Sequence, residues 1–337
     1  MAFTATYYIM PHSIRKLREG GYLARDMYKP DRPVIPTNAG TLVLFTSFIS
    51  IALLPLIVRV LNLATPIEGN ISDLSNTNLA FLLVVSIYAL YGLVDDLLDI
   101  GRVLKLVLPV TFGYPLISVI SPESVWVPVL GDFDLTAIAV GDLTWGDLFR
   151  VTVIPVYVMV VANLINMHSG YNGLQSGLSI ILISTLLIKS WIDGILEVVI
   201  PGGAFLGAMM ALWFFNKYPS RVFEGNIGSL LFGSVIGCII VIQEYWWLGF
   251  FILIPHTVNF LLWLVWLIMM RRHPEEYLEE DGYHKKFGSV RRDGTLEVPN
   301  RLTLKWIPNY YWRLTEKQST IIAYFVTVSF CLFGLFI

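Results

Sequence analysis

The sequence predicts an all-α polytopic membrane protein of about nine to ten transmembrane helices, with a small extracytoplasmic β-hairpin and a long cytoplasmic loop. Of its 337 residues, 55% are hydrophobic and only 14% are charged, and the mean hydropathy is +0.67. A soluble domain carries about a quarter charged residues, so this chain has too few to cover a surface that faces water. A net charge of −2 argues against a nucleic-acid partner. Cys238 and Cys331 both lie in apolar runs, which indicates buried thiols rather than a disulfide.

Nine apolar stretches approach the roughly 20 residues that a membrane-spanning helix needs. We expect a single integral membrane domain, with a stub and an interfacial segment over 1–39, spans over 40–270, a loop over 271–318 and a final helix over 319–337. Residues 1–10 are predicted to be the stub. Residues 11–29 mix cations with Leu, Ile and Tyr, which favours an interfacial helix, the alternative being a disordered basic tail. The predicted spans are 40–62, 78–94, 104–120, 148–168, 177–190, 198–215, 227–243, 246–270 and 319–337.

The distribution of Lys and Arg predicts the orientation of these helices. If nine spans alternate in direction, all 23 Lys and Arg residues except Arg59, Arg150 and Lys189 fall on one side or at its immediate flanks. Because cytoplasmic loops carry an excess of Lys and Arg, this side is predicted to be cytoplasmic. The acidic, alternating segment 121–147 falls on the other side and is predicted to form the β-hairpin.

Three aspartates lie on one helical turn at the edge of an apolar run, in the stretch YGLVDDLLDIGRVLK. Asp95, Asp96 and Asp99 are spaced so that neighbouring carboxylates repel one another on a helix. Ionisable groups at a membrane boundary are costly and commonly functional, so we expect a compensating cation, either a divalent metal ion or Lys105. The alternative is a solvated helix end.

Three further polar clusters fall on the same predicted side. The stretch NLINMHSGYNGLQSG pairs asparagines with glycines, NKYPSRVFEGNIGS places an aromatic residue beside Gly-Asn, and the loop 271–318 is rich in His, Lys and Arg. Each has an ordinary alternative: a polar turn, a short loop and a solvated charge run. Together they suit phosphoryl transfer, which depends mainly on positioning and charge neutralisation.

At these residues the sequence resembles the polyprenyl-phosphate N-acetylhexosamine-1-phosphate transferases, in particular the eukaryotic and archaeal dolichyl-phosphate N-acetylglucosamine-1-phosphotransferase branch. VDDLLDIGRVLKLVLP is similar to the Asp-Asp segment of that family, and NLINMHSGYNGL to its Asn-x-x-Asn…Gly-x-Asn-Gly-Leu segment. YPSRVFEGN is nearly its Tyr-Pro-Ser-Arg-Val-Phe-x-Gly-Asp, and YHKKFGSVRRDGTLE resembles its cytoplasmic His-Arg segment. The resemblance runs from about residue 20 to the C-terminus.

The resemblance implies transfer of GlcNAc-1-phosphate from UDP-GlcNAc to dolichyl or another polyprenyl phosphate in the membrane, with release of UMP, as the first step of lipid-linked oligosaccharide synthesis for N-glycosylation. It implies Mg²⁺, with Mn²⁺ as the alternative, held by Asn166 and Asn226. The catalytic group would be Asp95, Asp96 and Lys105. A homodimer is a further expectation, as is an active site on the cytoplasmic face of the plasma or endoplasmic reticulum membrane. The substrate-binding residues would be Asn172, Gly173, Phe223, His284 and Lys285.

One departure from the family pattern affects the predicted metal site. Asn226 stands where the family has Asp, which removes a negative charge from that site. One alternative to the transferase is therefore a catalytically impaired or engineered form that binds a UDP-sugar. A separate alternative is a transporter or lipid flippase. A transporter would favour ionisable residues near the bilayer midplane, whereas the acids here crowd one edge.

Overall fold

Long apolar helices dominate the fold, as the sequence predicts. The computed structural model describes residues 1–60, 75–98, 100, 102–127, 131–277 and 287–336. Within these residues, eight helices are long and apolar enough to cross a membrane. The predicted class of all-α polytopic membrane protein is therefore confirmed, and the protein is an integral membrane protein.

The helices are numbered in chain order. The eight candidate spans are α2 (Gly40–Val60), α3 (Asn76–Leu98), α5 (Trp145–Met167), α6 (Leu174–Asp193), α7 (Val199–Asn216), α8 (Gly225–Ile242), α10 (Ile254–Arg272) and α13 (Glu316–Gly334). The remaining helices are α1 (Ala2–Glu19), α4 (Arg102–Phe112), α9 (Trp246–Ile252), α11 (Pro274–Tyr277) and α12 (Ile307–Tyr311), with 3₁₀ turns at Tyr114–Ser118 and Leu304–Trp306.

Among the described residues, the strands form four small antiparallel hairpins. These pair β1 (Leu23–Arg25) with β2 (Val34–Pro36), β3 (Ser124–Val127) with β4 (Gly131–Asp134), β5 (Ile138–Val140) with β6 (Leu143–Thr144), and β7 (Ser289–Val290) with β8 (Leu296–Glu297). The hairpin predicted within 121–147 is thus present as two consecutive hairpins. Both hairpins lie directly before the N-terminus of α5. Because α5 has 23 residues and is about 34 Å long, the hairpins lie far from its C-terminal end.

Two predicted spans are interrupted, and proline explains both interruptions. The span predicted over 104–120 is the 11-residue helix α4 followed by the 3₁₀ turn, with Pro115 at the start of that turn. The span predicted over 246–270 breaks at Leu253, where α9 ends and α10 begins with Pro255 in its first turn. Proline has no backbone N–H and disfavours a helical residue before it, so each apolar run changes direction there.

The N-terminal segment also differs from the prediction. A single helix, α1, runs from Ala2 to Glu19, so the predicted stub and the first part of the predicted interfacial helix are one element. The helix stops at Gly20-Gly21, where Gly21 has a positive φ of 77°, and residues 23–36 then form the β1–β2 hairpin. The interfacial helix expected over 11–29 therefore ends ten residues early.

Helix α8 is the centre of the bundle. In its apolar window 83% of the residues are buried, against 17% for α10 at the periphery. It packs mainly against α3 and α5. A methyl group at Gly233 of α8 would lie 2.6 Å from Cα of Ala162 of α5, so these two backbones are in close contact. Whatever lies at the N-terminus of α8 is therefore held by its neighbours.

Candidate active site

The C-terminal end of α3 meets the N-terminal end of α8 through a glycine. A Cβ atom at Gly92 would lie only 2.4 Å from the backbone oxygen of Asn226, so no larger residue fits there without moving a helix. One turn further along α3, the Asn226 side-chain amide donates to Oδ2 of Asp95 at 2.9 Å. The backbone N–H of Ile227 donates to Oδ2 of Asp96 at 3.3 Å. The structure thus brings Asp95 and Asp96 together with Asn226, which lies 131 residues after Asp95 in the chain.

The two carboxylates are compensated by neutral donors in these contacts. Asp95 is buried and also accepts from the backbone N–H of Ile100 at 3.0 Å. Asp96 is exposed and lies against the first turn of α8, where backbone N–H groups lack partners within the helix and the helix dipole favours negative charge. This end of α8 therefore provides the electrostatic support that the sequence requires for the acid pair.

The side chain of Gln175 on α6 links the end of α5, which carries Asn166, to the start of α8. The Gln175 amide donates to the backbone oxygen of Ile165 at 2.8 Å and accepts from the Ser229 hydroxyl at 2.8 Å. The end of α5 is thereby linked to the first turn of α8, three residues after Asn226. Asn166 follows Ile165 directly, in the last turn of α5. Sequence reasoning missed Gln175, whose only signal is its position after the Asn-Gly turn.

The atoms at this junction fit a hard cation such as Mg²⁺. Because a carboxylate only accepts hydrogen bonds, the Asn226 amide must present its NH₂ to Asp95, which leaves its carbonyl oxygen for another partner. Carboxylate and amide oxygens are the ligands that Mg²⁺ and Ca²⁺ prefer. Among the described residues, no three His, Cys, Asp or Glu side chains converge on one point, so a cation here would depend on amide oxygens as well as the acid pair.

Lys105 lies on α4, next to the end of α3. The Tyr91 hydroxyl donates to the backbone oxygen of Leu104 at 3.2 Å. Tyr91 is one turn before Asp95 on α3, and Leu104 directly precedes Lys105, so this hydrogen bond holds the backbone of α4 close to the end of α3. The Lys105 side chain lies outside the described part of the chain. Asp99, His284 and Lys285 also lie outside the described residues.

Asn172, predicted to bind the substrate, is buried, and both ends of its amide group have protein partners. Its carbonyl oxygen accepts from the backbone N–H of Ser220 at 2.9 Å, and its NH₂ donates to Asp26 at 3.1 Å. The adjacent Gly173 has a φ of +73°, and a Cβ there would lie 2.9 Å from Cα of Lys217. These two residues therefore shape the turn 217–225 from within, rather than presenting free polar groups.

Phe223 lies in that same turn and is half-buried. Its backbone N–H donates to the oxygen of Pro36 at 2.8 Å, and its own oxygen accepts from Ala39 at 3.0 Å. The turn is thus fixed on one side by the segment that leads into α2 and on the other by Asn172.

A buried ion network, not predicted from the sequence, joins distant parts of the chain behind this turn. The Lys29 ammonium pairs with Asp26 at 3.1 Å and with Glu316, and the three side chains are 12%, 4% and 2% exposed. Glu316 also accepts from the backbone N–H of Asn172 at 2.6 Å. Lys29 and Glu316 are 287 residues apart, so no spacing in the sequence indicates this pair.

Glu224, two residues before Asn226, is a further acid that the sequence analysis did not predict to be at the site. It accepts from the Asn216 amide at 2.7 Å, and Asn216 accepts from the Ser176 hydroxyl at 2.6 Å. Burial raises the pKa of the Glu224 carboxyl to about 7, while its hydrogen bonds act in the opposite direction. These partners belong to α6 and α7, so Glu224 does not take the place of an aspartate at position 226.

Two buried histidines pack beside the end of α5. The rings of His168 and His256 are both buried and meet edge to face, with centroids 4.7 Å apart. Burial lowers the pKa of His168 well below its usual range, and His256 and Lys305 lower it further. His168 is therefore uncharged at neutral pH and adds no positive charge to the site.

Lys305, within the described part of the long loop, brings a positive charge close to the end of α5. Its ammonium donates to the backbone oxygen of Ser169 at 2.8 Å and lies 5.5 Å from the ring centroids of both Tyr28 and Tyr171. The resemblance assigns the substrate contacts of this loop to His284 and Lys285, which lie outside the described residues and stay a prediction. Burial lowers the pKa of Lys305 to about 8, against the opposing effect of Glu316.

This pKa predicts a pH-dependent stability. Because the folded protein releases the Lys305 proton near pH 8 and the unfolded chain near pH 10.5, the folded state binds fewer protons in between, and stability rises with pH across that window. We expect wild-type protein to gain on the order of 2–3 kcal/mol relative to Lys305→Met between pH 7.5 and 10.5. Unfolding midpoints in detergent at a series of pH values measure this gain. The exposed Lys317→Met is the matched control, and an identical pH profile for wild type and Lys305→Met would contradict the prediction.

The fold and the site together define a polytopic integral membrane protein with an acidic, amide-rich site where helix ends meet. Residues 78–244 match the family described as glycosyl transferase family 4. This segment runs from α3 to the end of α8 and contains the two aspartates, Asn166 and Asn226.

Named relatives agree with this match. The chain is 26% identical to the putative UDP-N-acetylglucosamine–dolichyl-phosphate N-acetylglucosaminephosphotransferase of Saccharolobus solfataricus, over 78% of this chain and 75% of the relative. It is 26% identical to the Saccharomyces cerevisiae enzyme of the same activity, over 91% of this chain and 72% of the relative. It is 30% identical to the phospho-N-acetylmuramoyl-pentapeptide-transferase of Blochmanniella floridana, over 52% and 54%.

The chain belongs to glycosyl transferase family 4, and its similarity to the archaeal and yeast proteins confirms the predicted dolichyl-phosphate branch. It is a membrane-bound transferase.

Proposed function

We propose that this chain transfers GlcNAc-1-phosphate from UDP-GlcNAc to dolichyl or another polyprenyl phosphate and releases UMP. The observation that carries the proposal is the contact of Asp95 and Asp96 with Asn226 at the N-terminus of α8, inside the segment that matches the family. The names of the archaeal and yeast relatives supply the substrates. An acid pair at helix ends, rather than midway along the spans, does not favour a transporter.

In the proposed reaction, an oxygen of the lipid phosphate attacks the sugar-bearing phosphorus of UDP-GlcNAc. The bond from that phosphorus to the bridging oxygen breaks, and the oxygen leaves with UMP. The chain's task is to hold two negatively charged phosphate groups in contact. A divalent cation, Mg²⁺ or Mn²⁺, would neutralise phosphate charge when held by Asp95, Asp96, Asn166 and the free carbonyl oxygen of Asn226.

The other predicted residues have roles around this centre. Lys105 would neutralise phosphate charge from α4, and Phe223 would stack on the uracil. Asn172 and Gly173, predicted to bind the substrate, would contribute to its site by fixing the turn that carries Phe223. His284 and Lys285 remain the proposed contacts to the diphosphate or GlcNAc. The distribution of Lys and Arg supports a cytoplasmic site, and the homodimer remains a prediction.

The transfer assay tests this proposal directly. Purified full-length protein is incubated with radiolabelled UDP-GlcNAc and dolichyl phosphate, and labelled lipid and UMP are measured together with and without a chelator. Equal amounts of labelled lipid and UMP are expected, and UDP-GalNAc in a parallel reaction tests the choice of sugar. Accumulation of UDP-GlcNAc in proteoliposomes without UMP would show a transporter instead.

Asn226→Asp is expected to strengthen cation binding. The new carboxylate would face Asp95 across a 2.9 Å contact, so like charges would repel until a cation lies between them. We therefore expect a lower unfolding midpoint in chelator, a larger rise in that midpoint with Mg²⁺ than in wild type, and at least tenfold lower Mg²⁺ for half-maximal effect. Asn300→Asp, outside the site, is the control. Unchanged Mg²⁺ dependence would remove Asn226 from the proposed ligands.

A further inference from the structure

A cleft of about 500 Å³ lies at the end of the bundle away from the candidate active site. It is formed where α6 and α8 end, where α9 begins, and where strand β3 of the first hairpin reaches the bundle. Aromatic and charged side chains line it together, including Trp126, Trp247, Lys189, Asp193 and Glu244. None of these takes part in the proposed transfer reaction.

Glu244 has an unfavourable backbone conformation in this cleft. It follows the end of α8 with a φ of +57°, and the N–H groups of Glu244 and Tyr245 donate back to Val241 and Ile240 at 3.3 and 2.8 Å. This bonding pattern normally has glycine in the left-handed position, since a side chain there is sterically disfavoured.

The neighbouring helix shows the same turn with the usual residue. At the end of α6, Gly194 has a φ of +74°, and the N–H groups of Gly194 and Ile195 donate back to Trp191 and Ser190 at 3.3 and 3.0 Å. The two turns have the same geometry at the same end of the bundle, yet one carries a carboxylate. Local strain of this kind clusters at functional sites, which indicates a use for the Glu244 side chain.

The charged side chains described in the cleft pair with one another and not with Glu244. Asp193 pairs with Lys189 at 3.1 Å and accepts from the Tyr245 hydroxyl at 2.9 Å. Glu244 is exposed and, among the residues that the structure describes, forms no ion pair or side-chain hydrogen bond. With one cation, Lys189, and two carboxylates, Asp193 and Glu244, the cleft has a net negative charge.

The aromatic residues add a second attraction for a cation. The rings of Trp126 and Trp247 meet edge to face at 6.2 Å, and the Trp247 indole donates to the backbone oxygen of Trp126. Trp126 is 53% exposed, so its ring is available to a ligand. The faces of tryptophan rings attract ammonium groups.

We propose that this cleft binds the headgroup of a zwitterionic membrane phospholipid, with the ammonium between Glu244 and the tryptophans and the phosphate beside Lys189. The position of the cleft favours a lipid, because the spans α6 and α8 both end at it and headgroups lie at the level of span ends. The arrangement of charge favours a zwitterion over an anionic headgroup. The proposal is independent of the transfer reaction.

Native mass spectrometry of the full-length protein in detergent tests this proposal with phosphatidylethanolamine, phosphatidylglycerol and free phosphoethanolamine as probes. We expect phosphatidylethanolamine to be retained about fivefold more strongly than phosphatidylglycerol, and free phosphoethanolamine not to bind detectably at the same concentration. Glu244→Gln, which keeps the shape of the side chain, should remove this fivefold preference.

Glu244→Gly separates binding from folding. Glycine relieves the left-handed strain, so its unfolding midpoint should equal or exceed that of wild type while the lipid preference is lost. Glu123→Gln, an exposed acid at the same end of the bundle but outside the cleft, should keep the preference. Equal retention of the two phospholipids, a preference unchanged in Glu244→Gln, or equally strong binding of free phosphoethanolamine would each overturn the proposal.

Discussion

Replacing Asp96 by alanine is expected to lower GlcNAc-1-phosphate transfer by about 100-fold or more while the protein stays folded. The exposed carboxylate of Asp96 lies against the N-terminus of α8, where it can meet a cation or phosphate without breaking a packed core. Removing one group that is preorganised for developing charge typically costs about two to three orders of magnitude in rate. The measurement is initial rate of labelled lipid formation at saturating UDP-GlcNAc.

Two further variants separate the charge of Asp96 from its structural role. Asp96→Asn keeps an oxygen that can accept from the Ile227 N–H, so its unfolding midpoint should match wild type while activity falls as in the alanine variant. Asp132→Asn, an exposed acid on strand β4 at the other end of the bundle, should leave the rate unchanged. Activity of Asp96→Ala within threefold of wild type would show that the acid pair is not part of the catalytic group.

Replacing Lys29 by methionine is expected to cost about 3–5 kcal/mol of stability. The substitution leaves Asp26 and Glu316 buried together without their cation, and an uncompensated buried charge is among the largest single-residue penalties. The unfolding midpoint in detergent should fall sharply, with lower yield of folded protein.

The effect of Lys29→Met has two internal controls. Lys16→Met removes an exposed ion pair with Glu19 at 2.8 Å, and such pairs contribute about 1 kcal/mol or less. The double variant Lys29→Met with Glu316→Gln should recover part of the loss, since glutamine can still accept from the Asn172 N–H without a buried charge. A midpoint for Lys29→Met equal to that of Lys16→Met would contradict the assignment of a stabilising buried network.

Apolar run length predicted most of the fold, because a helix across a bilayer must satisfy all its backbone groups internally. The observed helices differ from the predicted ones where an apolar or amphipathic stretch contains proline or two consecutive glycines. Pro255 divides one apolar run into α9 and α10, and Gly20-Gly21 ends α1 before the predicted boundary. Hydropathy alone does not predict where these helices end. Proline removes a backbone hydrogen-bond donor and glycine has no side chain, but neither makes the stretch markedly less apolar.

The candidate site was predictable where its residues fall in motifs and not where they pair over long distances. The resemblance placed Asp95, Asp96 and Asn226 in one site, and the structure brings these three together. It also assigned Asn172 to the substrate, which stays a prediction, but it did not indicate that the amide of Asn172 accepts from Ser220 and donates to Asp26. Such partners follow from tertiary packing of distant segments, which no local pattern in the sequence encodes.

Gly92 sets the distance between α3 and α8, and this distance in turn decides whether Asp95 and Asp96 reach the start of α8. With α3 and α8 in backbone contact there, even one added carbon would push the helices apart and draw both carboxylates away from Asn226, although every polar group of the site would still be present. In a homologue with a bulkier residue at position 92, the larger distance between the helices would therefore abolish activity even though all the acidic, amide and cationic side chains of the site were retained.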